Sequence, residues 1–123
     1  MNTRKQSTGL KKFIRYVNTR VILIENNMLE VEHNQYEYYK ALRQEIIQFG
    51  ETHKLFYSFM LGKIDHKKVM NILGCNERYA FRFMERQRKT MIEFIYEKEA
   101  QLFEKFPFSD NSEWSINKEI IME

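Results

Sequence analysis

The side chains best suited to chemistry in this chain are the cations of residues 62–91, where eight Lys or Arg accompany three Asp or Glu. Guanidinium and ammonium groups bind phosphate oxygens, and a guanidinium can also direct two N–H donors at one edge of a guanine base. The cations that helical spacing places on the outside are Arg78, Arg82, Arg86 and Lys89. Binding of a polyanion is therefore the chemistry that this stretch favours, with a solvated face of an ordinary helical bundle as the alternative.

The residues around these cations predict two helices joined by a tight turn. Asp65 and Asn76 are suited to cap the first and the second helix, because their side-chain oxygens can accept from amide groups left free in a first helical turn. Gly74 lies between the two helices, at a position that favours left-handed backbone angles. The positions that recur at helical spacing and should face inward are Val69, Met70, Leu73, Ala80, Phe83, Met84, Gln87 and Met91. Together these features predict a helix-turn-helix corner.

The second helix of this corner is predicted to carry a cationic outer face. The residues left on that face are Arg78, Arg82, Glu85, Arg86 and Lys89. An α-helix is narrow enough to enter the major groove of DNA, where guanidinium groups reach base edges and phosphates. We therefore predict double-stranded DNA as the partner of this face.

Helical spacing through the rest of the chain predicts an all-α protein, in which a helical N-terminal half precedes the helix-turn-helix and a long C-terminal helix. Only four Gly and one Pro interrupt the sequence. An apolar stripe predicts a first helix from Leu10 to Val31, with Asn26 and Asn27 as candidate points of interruption. A second helix is predicted from Asn34 to Phe49, with Gly50 as its end.

The corner itself is predicted to begin with a short leading helix. Glu51 or Thr52 should open that helix, and Gly62 should end it. No Gly or Pro interrupts the last helix before Lys105, so its predicted length is about 44 Å. The apolar side of its second half needs a partner, which is either the N-terminal helices or another subunit.

The predicted organisation has three parts. Residues 1–50 form a basic arm and the N-terminal helices, residues 51–106 the helix-turn-helix with its extended recognition helix, and residues 107–123 a C-terminal tail. Residues 1–20 hold six cations and no acid, which makes them a second candidate phosphate-facing surface, with a disordered solubilising arm as the alternative. In the tail, apolar positions within 113–123 predict a short docked helix.

Catalytic, metal-binding and membrane patterns are absent from the sequence. Cys75 is the only cysteine, and His33, His53 and His66 lack metal-ligand spacing. There is no glycine-rich phosphate loop and no nucleophile elbow, so we predict neither enzyme activity nor a cofactor. No run approaches the roughly 20 apolar residues of a membrane span, and the basic N-terminus does not resemble a secretory signal. We expect a cytoplasmic protein.

The corner also resembles a known class of DNA-binding region. Residues 54–94 read KLFYSFMLGKIDHKKVMNILGCNERYAFRFMERQRKTMIEF. This segment resembles the last DNA-binding region of bacterial sigma factors, and it is most similar to small phage-encoded regulators of late transcription of the RinA, ArpU and LtrC kinds. The resemblance implies that phosphates are held by Lys67 and Lys68, and that DNA is faced by Asn76, Arg78, Tyr79, Arg82 and Arg86, with Lys89 extending the same face.

These observations predict a sequence-specific transcription regulator, a phage or mobile-element late-gene activator that engages host RNA polymerase as a homodimer. The acidic, aromatic C-terminal part is the candidate polymerase contact. One alternative is a phage protein-interaction module, such as an antirepressor or host-takeover factor, that keeps the helix-turn-helix as a scaffold. The other is a small terminase-like DNA-packaging subunit. All three interpretations stay open because a fold alone does not decide between such functions. The expected location is the cytoplasm of a bacterial host cell.

Overall fold

The structure is all-helical over the part of the chain that it describes. It is a computed structural model that describes the backbone of residues 3–109 and the side chains of residues 9–109. That range contains five helices and no strand, which confirms the predicted fold class: α1 Thr3–Glu25, α2 His33–Thr52, α3 Lys54–Met60, α4 His66–Leu73 and α5 Glu77–Lys105. The docked helix predicted within 113–123 lies outside the described residues.

The helices α1, α2 and the second half of α5 form a three-helix bundle. Tyr16 of α1 packs edge-on against Tyr39 of α2, with 6.1 Å between the ring centroids. Toward the C-terminal end of α2, Phe49 packs against Phe94 of α5, with 5.1 Å between the ring centroids. The buried side chains of the bundle include Leu10, Phe13, Val17, Val21, Leu42, Ile46, Met91 and Ile95. The apolar second half of α5 therefore finds its partner in the N-terminal helices.

Polar contacts fix the register between α2 and α5. Lys98 Nζ lies 3.0 Å from Glu45 Oε2. The hydroxyl of Tyr38 donates to Glu99 Oε2 at 3.2 Å. Burial, reinforced by the Glu99 carboxylate, raises the pKa of the Tyr38 hydroxyl, so this group keeps its proton and remains a donor. Because lower positions in α2 meet higher positions in α5, the two helices run antiparallel.

The first helix ends earlier than the apolar stripe predicted. Asn27 adopts left-handed angles with φ of 58°. Its amide donates to Ile24 O, and the amide of Met28 donates to Leu23 O at 2.8 Å, which together close a Schellman cap. The helix therefore stops at the candidate interruption and does not continue to Val31, and Met28 is 75% exposed. An apolar residue at helical spacing does not prolong a helix past a residue suited to the left-handed cap.

Gly50 lies inside α2 and does not end it, so its predicted role was wrong. The helix continues to Thr52, whose hydroxyl donates to Phe49 O at 3.0 Å. The opening of α3 by Glu51 or Thr52 was also predicted wrongly, because His53 takes that position and stacks its ring on Phe49 at 3.9 Å. A Cβ at Gly50 would lie 2.7 Å from Cδ2 of Tyr57. The glycine is thus required by the close approach of α3.

We expect Gly50→Ala to destabilise the protein, although Ala is the better helix former by about 1 kcal/mol. The added methyl group would displace the Tyr57 ring, and overpacking of this kind costs about 1–3 kcal/mol. Urea unfolding followed by circular dichroism measures the change. The matched control is the double variant Gly50→Ala with Tyr57→Ala, compared with Tyr57→Ala alone. The clash is absent in that background, so Gly50→Ala should raise the free energy of unfolding. A stabilising Gly50→Ala on its own would contradict this account of the close approach.

Candidate nucleic-acid interface

The turn between α4 and α5 is built by local capping contacts. Asp65 Oδ1 accepts from the amide of Lys68 at 2.9 Å, and Asn76 Oδ1 accepts from the amide of Tyr79 at 2.9 Å, so both predicted N-caps are confirmed. Gly74 has φ of 62°. The amide of the residue after it donates to Met70 O at 3.2 Å, which closes a second Schellman cap. Only residues 74–76 separate the two helices.

Packing holds α4 against the first half of α5. Val69 of α4 and Ala80 of α5 are both fully buried, and Met84 is nearly so. Phe56 and Met60 of α3 are buried in the same core. Because Ala80 presents only a methyl group, α4 can approach α5 closely at this position. This packing determines which face of α5 is buried, and therefore also which face is exposed to solvent.

Every residue predicted to contact DNA is exposed. On α5, four of them form what we call the cationic stripe: Arg78, Arg82, Arg86 and Lys89. Successive helix positions are rotated by about 100°, so the cationic stripe occupies an arc of about 80° around the helix axis. Over its length of about 17 Å, it lies on the side of α5 opposite to the buried Ala80 and Met84. The structure therefore brings these four side chains onto one face.

The other predicted residues are arranged less simply. Lys67 and Lys68 are exposed on α4, but as neighbours on one helix they differ in direction by about 100°. Asn76 uses its oxygen for the cap, so its amide nitrogen is the group that can serve a ligand. Tyr79 is exposed at one edge of the cationic stripe. Asn76 therefore serves as the predicted N-cap, and only its amide nitrogen is left for the predicted DNA contact.

Sequence reasoning missed the burial of Arg88. This residue is only 3% exposed, and its Nη2 lies 2.6 Å from Glu85 Oε1. Its Nε is buried without a hydrogen-bond partner among the described residues. A signal was present, because Arg88 follows Met84 by four positions and precedes Met91 by three, which places it beside the inward face. Arg88 therefore neutralises the acid predicted beside the cationic stripe and is not itself an exposed cation.

Two aromatic side chains lie on the edges of the cationic stripe. Tyr79 and Phe81 are both about half exposed, and helical geometry puts them on opposite sides of Arg78. Phe81 shares a shallow groove with His66, Glu77 and Arg78. The His66 ring is itself held edge-on to Phe59 of α3, with 5.9 Å between centroids. The outer face of α5 is thus a band of cations with an aromatic ring at either margin.

The histidines and the cysteine do not converge. Among the residues that the structure describes, no group of three or more His, Cys, Asp or Glu is placed to hold a metal ion. His33 lies near Glu37, His53 stacks on Phe49, and Cys75 is a free thiol in the turn. Within residues 3–109, no helix is both long and apolar enough to cross a membrane.

Comparisons of the chain with protein-family models, with curated proteins and with solved structures give no match. The resemblance to sigma-like regions and to phage late regulators therefore stays a prediction. Any functional assignment has to be argued from the cationic stripe and the elements that position it.

We expect the Arg88–Glu85 pair to respond asymmetrically to truncation. Glu85→Ala would leave the Arg88 guanidinium buried without its carboxylate, at a cost of about 3 kcal/mol in the free energy of unfolding. Arg88→Met should cost less, because Glu85 is partly exposed and can turn to water. The double variant should recover most of the loss caused by Glu85→Ala. Urea unfolding of the four proteins measures these changes, and a larger cost for Arg88→Met than for Glu85→Ala would contradict the assignment.

Proposed function

We propose that this protein is a sequence-specific DNA-binding transcription regulator that inserts the beginning of α5 into the major groove. The observation that carries the proposal is the cationic stripe on a helix whose opposite face is locked into the core. In this proposal α4, residues 74–76 and α5 act as a helix-turn-helix. Together with the resemblance of residues 54–94, this favours a late-gene activator of a phage or mobile element, acting in the cytoplasm of a bacterial host.

The proposed contacts divide by position along α5. Arg78 and Arg82 lie in the first two turns, the part of such a helix that reaches base edges, where a guanidinium can pair with guanine. Arg86 and Lys89 follow one and two turns later, where the helix leaves the groove and phosphates are the nearer partners. Lys67 and Lys68 are exposed in the first turn of α4, where their ammonium groups can reach phosphates. Positioning and readout thus fall to different residues.

A second candidate function is supported by exposed apolar side chains on the same unit. Ile72 of α4, Tyr79 and Phe81 are all about half exposed. A protein partner such as host RNA polymerase could cover them, either together with DNA or in place of it. In the latter case the chain would be a phage protein-interaction module with the helix-turn-helix as scaffold.

Selection from a pool of random 30-base-pair duplexes, followed by salt titration, tests the proposed function. We expect enrichment of a defined sequence and an affinity that falls steeply as salt rises, because each neutralised phosphate releases counterions. With phosphate contacts from Arg86, Lys89, Lys67 and Lys68, the slope of log affinity against log salt is about −4 for each subunit. Failure to enrich any duplex, or a flat salt response, would overturn the proposal.

Alanine variants separate readout from positioning. Arg82→Ala should weaken binding to the selected duplex by about 1–3 kcal/mol and relax the preference at one base pair. Lys67→Ala should weaken binding to selected and scrambled duplexes alike and reduce the salt slope by about 1. Lys105→Ala, at the far end of α5, is the matched control and should change neither. If Arg82→Ala leaves DNA affinity intact but abolishes binding to a host protein, the second candidate function is the better one.

The proposal includes a homodimer, because one such unit on a small domain seldom makes enough contacts for specific binding. The apolar stripe of α1 is buried in the core, so it cannot form the contact between two subunits. The second half of α5 still exposes Tyr96 and Phe103, at 53% and 44%, on one side of the helix with Ala100 between them. A two-fold symmetric pairing through this side would use the same residues from both subunits.

We therefore expect a dimer in sedimentation equilibrium at tens of micromolar, and Tyr96→Glu should shift it to monomer. The introduced carboxylates would face each other across the two-fold axis or be buried, and either costs free energy. Ile47→Glu, at an exposed apolar position on α2, is the matched control and should leave the dimer intact. A monomeric unaltered protein, or an unaffected Tyr96→Glu dimer, would rule out this interface.

A further inference from the structure

Phe81 is an apolar ring kept in solvent at the start of α5. It is the fifth residue of that helix and is 47% exposed, whereas the preceding Ala80 is fully buried. Helical geometry places it about 60° from Arg78, on the margin of the cationic stripe. The ring therefore lies in the two turns of α5 that the proposed function assigns to base contacts.

The surroundings of Phe81 keep it on that margin. Its groove is lined by His66, Glu77 and Arg78, and the His66 ring is backed by Phe59 of α3. The inner face of α5 is occupied by Ala80 and Met84 against α4, so the ring has no buried position to take without displacing them. When the cationic stripe meets a duplex, Phe81 has to meet it as well.

A benzyl ring is selective for the group that it meets in a major groove. It offers no donor or acceptor, so a base edge whose polar groups lose water against it is left without a hydrogen bond, which is unfavourable. The apolar group that the major groove presents is the C5-methyl of thymine. Tyr79, on the opposite margin, differs because its hydroxyl can donate to a phosphate.

We propose that Phe81 is a specificity-determining residue that contacts a thymine methyl group next to the base pairs read by Arg78 and Arg82. This inference rests on the proposed function and names a feature of the DNA that it requires. A·T pairs oriented with thymine toward Phe81 are preferred at one position of the site. The preference is additional to any guanine readout by the arginines.

Replacing each thymine of the selected duplex by uracil, one at a time, tests this inference, because the exchange removes the methyl group and nothing else. With the unaltered protein we expect one position at which affinity falls about fourfold, the effect of one buried methyl group. Phe81→Ala should abolish that fall, and Phe81→Leu should reduce it to about twofold. Tyr79→Ala is the matched control and should keep the full effect.

The outcomes separate this inference from the proposed function. If no duplex is selected, both are overturned. If a duplex is bound specifically but every uracil exchange is neutral, only the role of Phe81 is overturned. The same holds if any fall persists in Phe81→Ala, if the full fourfold fall persists in Phe81→Leu, or if the fall disappears in Tyr79→Ala. Circular dichroism of each variant confirms that it is folded, and the uracil scan on the unaltered protein needs no variant at all.

Discussion

The continuity of α5 is the constraint on which the rest of this structure depends. Its 29 residues belong to the bundle at one end and to the candidate interface at the other. Burial of Met91 and Ile95 against α1 and α2 fixes the rotation of the helix about its axis. Because an α-helix transmits that rotation along its length, the core also determines which way the cationic stripe points. A break within α5 would uncouple the two.

The corner adds a second constraint through backbone geometry. Three helix ends in the described range close with Schellman-type bonds, at Asn27, Gly62 and Gly74, each with positive φ. Such ends consume the last carbonyl groups of a helix within a few residues, so they permit short connections. Between α4 and α5 this allows Val69 and Ala80 to be buried in the same core. The exposed faces of the two helices are then left on the outside of the same small unit.

Electrostatics at the outer face of α5 depend on a buried residue, Arg88. Without a partner, Glu85 would place a negative charge next to Arg82 and Lys89, which lie three and four positions away on the cationic stripe. The buried Arg88 guanidinium holds that carboxylate at 2.6 Å and offsets its charge. Burying an ion pair costs desolvation free energy, so this pair is weak evidence of stability. Its clearer effect is to reduce the negative electrostatic potential that Glu85 would create at the outer face of α5. Positive charge on α5 is therefore distributed between a structural cation and a surface stripe.

Sequence by itself determined the all-α class, the caps at Asp65 and Asn76, the turn at Gly74 and the extent of α5 to Lys105. Each depends on contacts within a few residues, on repeated spacing or on the absence of a helix breaker, and such signals are local. The tertiary structure decided the role of Gly50, which was wrongly predicted as a helix end, because its reason is the Tyr57 ring of another helix. It also decided the burial of Arg88: spacing from Met84 and Met91 places this residue beside the inward face, but only the packed core shows that its charge is buried there, paired with Glu85. The tertiary structure also decided what packs against the second half of α5. The sequence shows that this half has an apolar side, but only the structure shows that α1 and α2 bury it.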